Sequence, residues 1–170
     1  VRPLLEQKHY FDTIAVEPNR IYSQILSNLN SAAATGFSYQ EIGERLISAW
    51  EGEPAQIHVY QQAQECANLF RACCLENNLL DFSLSLELFC RFIWPSLLGR
   101  QVLFDRYRHL IYDNVEEDFP AAHDVIAEWL PHFDSALLIS DSGGGYRSFL
   151  GADPQNARQL ASCCDEMVRF

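Results

Sequence analysis

Two short apolar runs, Leu110-Ile-Tyr112 and Ala136-Leu-Leu-Ile139, stand on either side of a helical segment opened by Pro120, and this arrangement leaves few alternatives. Each run is too short for a stable helix, so Arg108 to Tyr112 and Ala136 to Ser140 are predicted strands, the first of them buried. Proline suits the first turn of a helix, where its missing N–H costs nothing, and a helix is predicted over Ala121 to Leu130. Strand, helix and strand in that order form a βαβ crossover, with the strands parallel and the connection right-handed. Asp113 stands where the first strand leaves the sheet, and Glu116, Glu117 and Asp118 follow it. In open α/β sheets ligands gather beyond the carboxyl ends of strands. An acid placed there can hold a metal ion against a phosphate, often through water. Asp113 is therefore the centre of any chemistry this chain carries.

Upstream the apolar spacing is helical. Residues 1–20, bracketed by Pro3 and Pro18, hold one short helix or none. Ile21, Ile25, Leu26 and Leu29 predict a helix to about Ala34, stopped by Gly36. Ser38-Tyr-Gln-Glu41 has the pattern of a capping box, opening a helix whose apolar face is Ile42, Leu46, Ile47 and Trp50. Gly52 and Pro54 end it. The longest helix is predicted from about Pro54 to Asn77, with Val59, Ala63, Cys66, Ala67, Phe70, Cys73 and Cys74 at three- and four-residue spacing. Another follows from Leu79–Ser83 to Trp94-Pro95, and Pro95 can begin one more that ends near Arg106. Beyond the second strand, Asp141-Ser-Gly-Gly-Gly145 reads as a flexible loop, Gly151-Ala-Asp-Pro154 as a turn, and 155–168 as a last helix.

A chain of 170 residues with 48% hydrophobic residues can bury roughly 70% of its unfolded surface, in one domain or one plus a small subdomain. The net charge of −11 argues against a free-standing nucleic-acid binder, because phosphate backbones attract clustered Lys and Arg. Lys8 is the only lysine. Cys66, Cys73, Cys74, Cys90, Cys163 and Cys164 include no C-x-x-C pair, and read as reduced core residues of a cytoplasmic protein rather than disulfide partners or zinc ligands. No signal peptide is evident and no apolar run reaches the roughly 20 residues of a membrane span. The start at Val1 hints at a piece of something longer, or a processed chain.

The segment Leu110-Ile-Tyr-Asp-Asn-Val-Glu-Glu-Asp-Phe-Pro-Ala121 resembles motif II of UvrD/Rep-type superfamily 1 DNA helicases, apolar-apolar-V-D-E-F-Q-D-T-N-P-A. Ala136-Leu-Leu-Ile-Ser-Asp141 and Phe149-Leu-Gly-Ala-Asp-Pro154 are similar to the motif III region, G-D-x-x-Q-S-I-Y-x-F-R-G-A-D, and the distance from Asp141 to Gly151 fits that pattern without a gap. Leu80-Asp81-Phe82 resembles the L-D-F segment by which the chain re-enters the ATPase core from the helical 1B subdomain. The resemblance spans about residues 55–154. It implies a predominantly helical α/β fold: a helical 1B-like subdomain at 1–80, then at 81–170 part of the 1A RecA-like core, a βαβ unit of P-loop NTPase type with short parallel strands. It also implies ATP and Mg²⁺ as cofactors of the parent, with Asp113 on the metal, and DNA as partner, with Phe149 at the position that can stack on a base.

The departures bear on activity. The glutamate that polarises water in the family falls on Asn114, and an amide is no general base; such a loss removes on the order of 10²–10⁴ in rate. Glu116 and Glu117 are near enough to be considered as substitutes. The motif III glutamine that senses the γ-phosphate falls on Gly144, and the arginine of F-R-G-A-D on Leu150. No G-x-x-x-x-G-K-[ST] loop occurs in the 170 residues. The second RecA-like domain is missing as well, so these residues are not a complete ATPase.

Elsewhere the signals are weak. His9, His58, His109, His123 and His132 are dispersed, and no G-x-S-x-G is found. Gly143 to Gly145 read either as an anion cradle or as a mobile loop. The acidic cluster around Asp113 could take Mg²⁺, or be a solvated loop before a helix N-terminus. Arg100, Arg106 and Arg108 read best as surface arginines. The reading that follows is part of an ATP-dependent DNA translocase inactive by itself, or a helicase-derived scaffold without catalysis. Two parallel strands lacking sheet neighbours leave an open edge and apolar faces, so self-association or a rearranged core is expected.

Overall fold

The computed structural model describes residues 7–170, apart from the side chain of Phe149. These residues are predominantly helical, with a small parallel sheet of two strands. They form two compact units. One holds the described residues up to Ala33 and Phe37–Ser85, the other Ala34–Gly36 and Leu86–Phe170.

In the first unit, α1 (Pro18–Thr35) buries Ile21, Ile25 and Leu29 of the predicted stripe, together with Ala32, whereas Leu26 is exposed. Gly36, at φ +81°, allows the chain to turn out of the helix. Ser38 then opens a 3-10 turn, Tyr39–Glu41, that leads into α2 (Ile42–Ser48). The reciprocal capping box does not form. The tight turn brings Gln40 N–H to the Ser38 hydroxyl, and the Glu41 carboxylate takes the Arg45 guanidinium instead, at 2.9 and 3.1 Å. The long helix α3 (Ala55–Glu76) packs Val59, Cys66 and Ala67 onto Ile25, Leu29 and Ile42. Its buried face also carries polar groups, each with a task. Gln62 accepts from Phe11 N–H at 2.8 Å, and Gln64 accepts from Gly43 N–H at 2.7 Å while donating to the Tyr39 carbonyl. Arg71, 2% exposed, reaches Asp81 at 3.1 Å and Ser83 at 3.0 Å. Asp81 in turn accepts from Leu84 N–H, which starts α4 (Phe82–Leu88).

The second unit takes over in α4. A π-helical turn, Phe89–Ile93, continues that helix, so the predicted segment to Trp94 is helical but not α throughout. Helix α5 (Leu97–Arg106) is capped by the Ser96 hydroxyl, with Pro95 just before the cap rather than inside the helix. Strands β1 (His109–Tyr112) and β2 (Ser135–Leu138) pair in parallel, Ile111 opposite Leu137 and Tyr112 opposite Leu138. Helix α6 (Pro120–Trp129) and a 3-10 turn, Leu130–His132, join them. Tyr112 and Leu138 face a small core of Val115, Ile126, Ala127, Ala157 and Leu160. Ile111 is 76% exposed, so the first strand is buried on one face only. A second core is aromatic: Trp94, Phe104, Trp129 and Phe133 contact one another in sequence, and Arg100 and Trp94 both hydrogen-bond Glu128. The last helix, α7 (Pro154–Gln159), passes into a 3-10 turn, Leu160–Cys163, and stops well short of residue 168. Ala157 and Leu160 are buried, whereas Met167 and Val168 are more than half exposed, so helix beyond that point would have no apolar face to dock.

All six cysteines are free thiols. Cys66 and Cys74 are buried, and burial pushes the Cys66 thiol up to about 11, which keeps it protonated and inert. Cys73, Cys163 and Cys164 are exposed, so the reading of all six as core residues holds for only part of the set. Among the described residues no helix is long and apolar enough to cross a membrane.

Candidate functional site at the carboxyl ends of the strands

Because β1 and β2 are parallel, both chains leave the sheet at the same end. There the segment after Tyr112 and the segment after Leu138 meet. Asp113 is exposed, and its Oδ1 accepts from the N–H of Asn114, a local bond that leaves the other oxygen facing solvent. Asn114 sits at φ +53°, a left-handed conformation that asparagine tolerates better than glutamate does, and its turn starts the 3-10 segment Val115–Glu117. That segment is tied down from several sides. Val115 N–H donates to the Ile139 carbonyl, and the wholly buried His123 ring contacts the Val115 carbonyl through Nε2 at 2.8 Å. A carbonyl only accepts, so Nε2 carries a proton. The other ring nitrogen meets the Asn156 side chain at 3.1 Å, joining α6 to α7 behind the turn.

Glu116 and Glu117 point to different environments. Glu117 is gripped by the glycine-containing loop after β2. Its Oε1 accepts from Gly145 and Tyr146 N–H at 2.8 and 3.0 Å, and its Oε2 from Arg147 N–H at 2.9 Å. Desolvation pushes this carboxyl upward, but the three donors, helped by the Arg147 charge, outweigh it and hold Glu117 below the usual range. Glu116 is 4% exposed, and its Oε2 has no hydrogen-bond partner among the described residues. Gly144 lies against it, so that a Cβ there would stand 2.5 Å from Glu116 Oε1. Glycine at 144 thus makes room for the buried carboxyl. Gly145, at φ +95°, has the conformation and the closeness to Pro154 that exclude a side chain.

The sequence-predicted residues fall as follows. Asp113 and Asn114 are together at the end of β1, and Gly144 lies over Glu116 in the neighbouring loop. Phe149 is in the 3-10 segment Tyr146–Leu150, and its side chain lies outside the described residues. The four carboxylates after Tyr112 diverge: Asp118 accepts from the Tyr112 hydroxyl at 2.8 Å, and desolvation together with that bond pushes the tyrosine up. Among the described residues no three His, Cys, Asp or Glu side chains converge as a metal site. Mg²⁺ typically takes one or two carboxylates together with substrate phosphates. Asp113 alone suits only that role, and a self-standing ion site does not fit these side chains. Of the basic set, Arg108 forms a two-point ion pair with Asp134 and Arg100 pairs with Glu128, so both are already engaged. The grip of Glu117 and the burial of Glu116 were not legible in the sequence, where both were solvated acids or substitute bases. The nearest signal was the three-glycine run, of which only Gly145 donates to Glu117, the N–H groups of Gly143 and Gly144 being taken by Asp141.

The chain matches no protein-family model, no curated protein and no solved structure.

Proposed function

We propose that this chain is part of a UvrD/Rep-like superfamily 1 DNA helicase, a RecA-like P-loop NTPase core piece with a 1B-like helical part, inactive as an ATPase by itself. The observation that carries the reading is the meeting of the motif II-like and motif III-like segments at the carboxyl ends of two parallel strands, in the order and spacing that the resemblance requires. In the parent, Asp113 holds Mg²⁺ on a bound ATP, Phe149 lies against DNA, and the rest of the helicase core covers the open sheet. The setting is cytoplasmic DNA repair or recombination.

Catalysis is the weak point of that parent. Asn114 cannot act as a base, and Glu117 is fully occupied by three backbone donors. These two facts favour the second reading, a helicase-derived scaffold that keeps the fold without turnover. Incubation with ATP, Mg²⁺ and single-stranded DNA separates activity from scaffold. No phosphate release above background is expected from this chain, and DNA-stimulated release would overturn the assignment of an inactive piece. Fluorescence anisotropy with a labelled oligothymidylate at low salt tests the DNA contact. Weak binding that Phe149→Ala reduces further supports it, and complete absence of binding counts against it.

A further inference from the structure

Within the second unit, α4 with its π-helical turn and the start of α6 enclose a cavity of about 240 Å³. Leu86, Phe89 and Cys90 line it from the first element and Phe119, Ala122 and Val125 from the second. At a liquid share of about 30 Å³ per water, that is the space of roughly eight waters, room for one ring with a short tail. Two local features leave it open. Trp94 N–H donates to the Phe89 carbonyl five residues back at 2.8 Å, so the helix is widened where Phe89 and Cys90 sit, and α6 presents only alanines at 121 and 122. Such π-turns are frequent at functional sites.

One acid stands in this apolar lining. Asp118 Oδ2 accepts from the Tyr112 hydroxyl at 2.8 Å and Oδ1 from Phe119 N–H at 2.9 Å, and both Tyr112 and Asp118 border the cavity. A carboxylate offers about four acceptor positions, so roughly half of them are unused. Asp118 forms no ion pair among the described residues. A charge in apolar surroundings is costly unless it is paired. This chain supplies Asp118 with donors but with no countercharge.

We propose that this cavity is a binding site for a small organic cation, an ammonium group on a compact aromatic body. The ammonium donates to the unused acceptor positions of Asp118, and the ring packs against Phe89, Phe119 and Val125. Aromatic walls suit both parts of such a ligand, since they attract cations and stack with rings. Charge selects against carboxylic acids, and volume selects against anything much larger than one ring. The proposal does not depend on the helicase reading, because it uses only the cavity and the carboxylate that lines it.

The test is NMR titration of the isotope-labelled 170-residue chain at neutral pH with three probes of one shape: phenethylamine, phenethyl alcohol and phenylacetate. The amine is expected to saturate with a Kd on the order of 1 mM or below. It should bind about tenfold more tightly than the alcohol, because only the amine forms a charge-assisted bond, and phenylacetate should not bind. Shifts should centre on Phe89, Cys90 and Ala122. Asp118→Asn should remove the preference for amine over alcohol, and Ala122→Leu, which fills the cavity, should remove binding of both, with circular dichroism showing that each variant is folded. An amine that does not saturate, an alcohol that binds as tightly, shifts centred elsewhere, or a folded variant that binds like the unaltered chain would each overturn the proposal. Should one variant fail to fold, the comparison of the three probes on the unaltered chain still decides it. None of these outcomes alters the ATPase or DNA results, so the two readings fail separately.

Discussion

Glu117 shows how much a single carboxylate can organise. Three successive backbone N–H groups close on it, and without it the loop after β2 would have to satisfy those donors with water. Glu117→Ala is expected to accelerate amide exchange at Gly145, Tyr146 and Arg147 by roughly tenfold or more, with little change in the helices, as seen by hydrogen-exchange NMR. The pH dependence has a definite sign. A carboxyl held below its ordinary range in the folded chain contributes fully above the ordinary glutamate value, and the contribution is lost as pH falls through the depressed one. Protection of the loop amides should hold from neutral pH down to the ordinary glutamate range and collapse below it. Glu116 is not gripped in this way: it is a buried acid with an unpartnered oxygen among the described residues. A polar group left unsatisfied costs about 1–3 kcal/mol, so Glu116→Met should raise stability by about that much in urea titration. A loss of stability would show that Glu116 has a partner of structural value.

The joint between α3 and α4 rests on an ion pair inside the first unit. Arg71 is 2% exposed and bridges Asp81 and Ser83 while lying 5.0 Å from the Tyr39 ring centre. The pair fixes where α4 begins, because the same Asp81 caps the new helix. Removing one member of a buried pair strands the other. Arg71→Met is therefore expected to cost about 3–5 kcal/mol in denaturant unfolding, and adding Asp81→Asn should return part of that loss. Equal losses in the single and double variants would show that Asp81 does not depend on Arg71. The βαβ element follows a different logic. Its strands are held by pairing and by one apolar face, and the Glu117 grip and the His123 contact fix the segments that leave it.

For the molecule as a whole, charge and apolar surface oppose each other. At −11 two copies repel, and the exposed leucines and isoleucines of the second unit attract. Salt shortens the reach of the repulsion, with a Debye length of about 30 Å at 0.01 M and about 10 Å at 0.1 M, while leaving apolar contact intact. The self-association expected of an open edge and apolar faces should therefore strengthen by roughly an order of magnitude over that range, as measured by sedimentation. Weakening with salt would point to an ionic interface instead. The same charge keeps sequence-independent DNA affinity low for the isolated chain.

Periodicity was sufficient to locate α1, α3, α6 and both strands, because apolar residues at fixed spacing have one geometry that buries them. Pro120, Gly36 and Asn77-Asn78 marked ends for the same local reason. Where a second segment decides the outcome, spacing was silent. The capping box gave way to Arg45, the last helix stopped where its apolar partners ran out, and β1 kept one face bare. Asp113 and Asn114 were placed at a strand end by sequence alone, since chain direction fixes that. That Glu116 would be buried and Glu117 held by three amides depended on a loop about thirty residues away. Sequence determined which segments are helix and strand and where the acidic turn lies; only tertiary structure decided which acid is buried, which is gripped and which faces water, because those states depend on backbone donors brought in by distant residues.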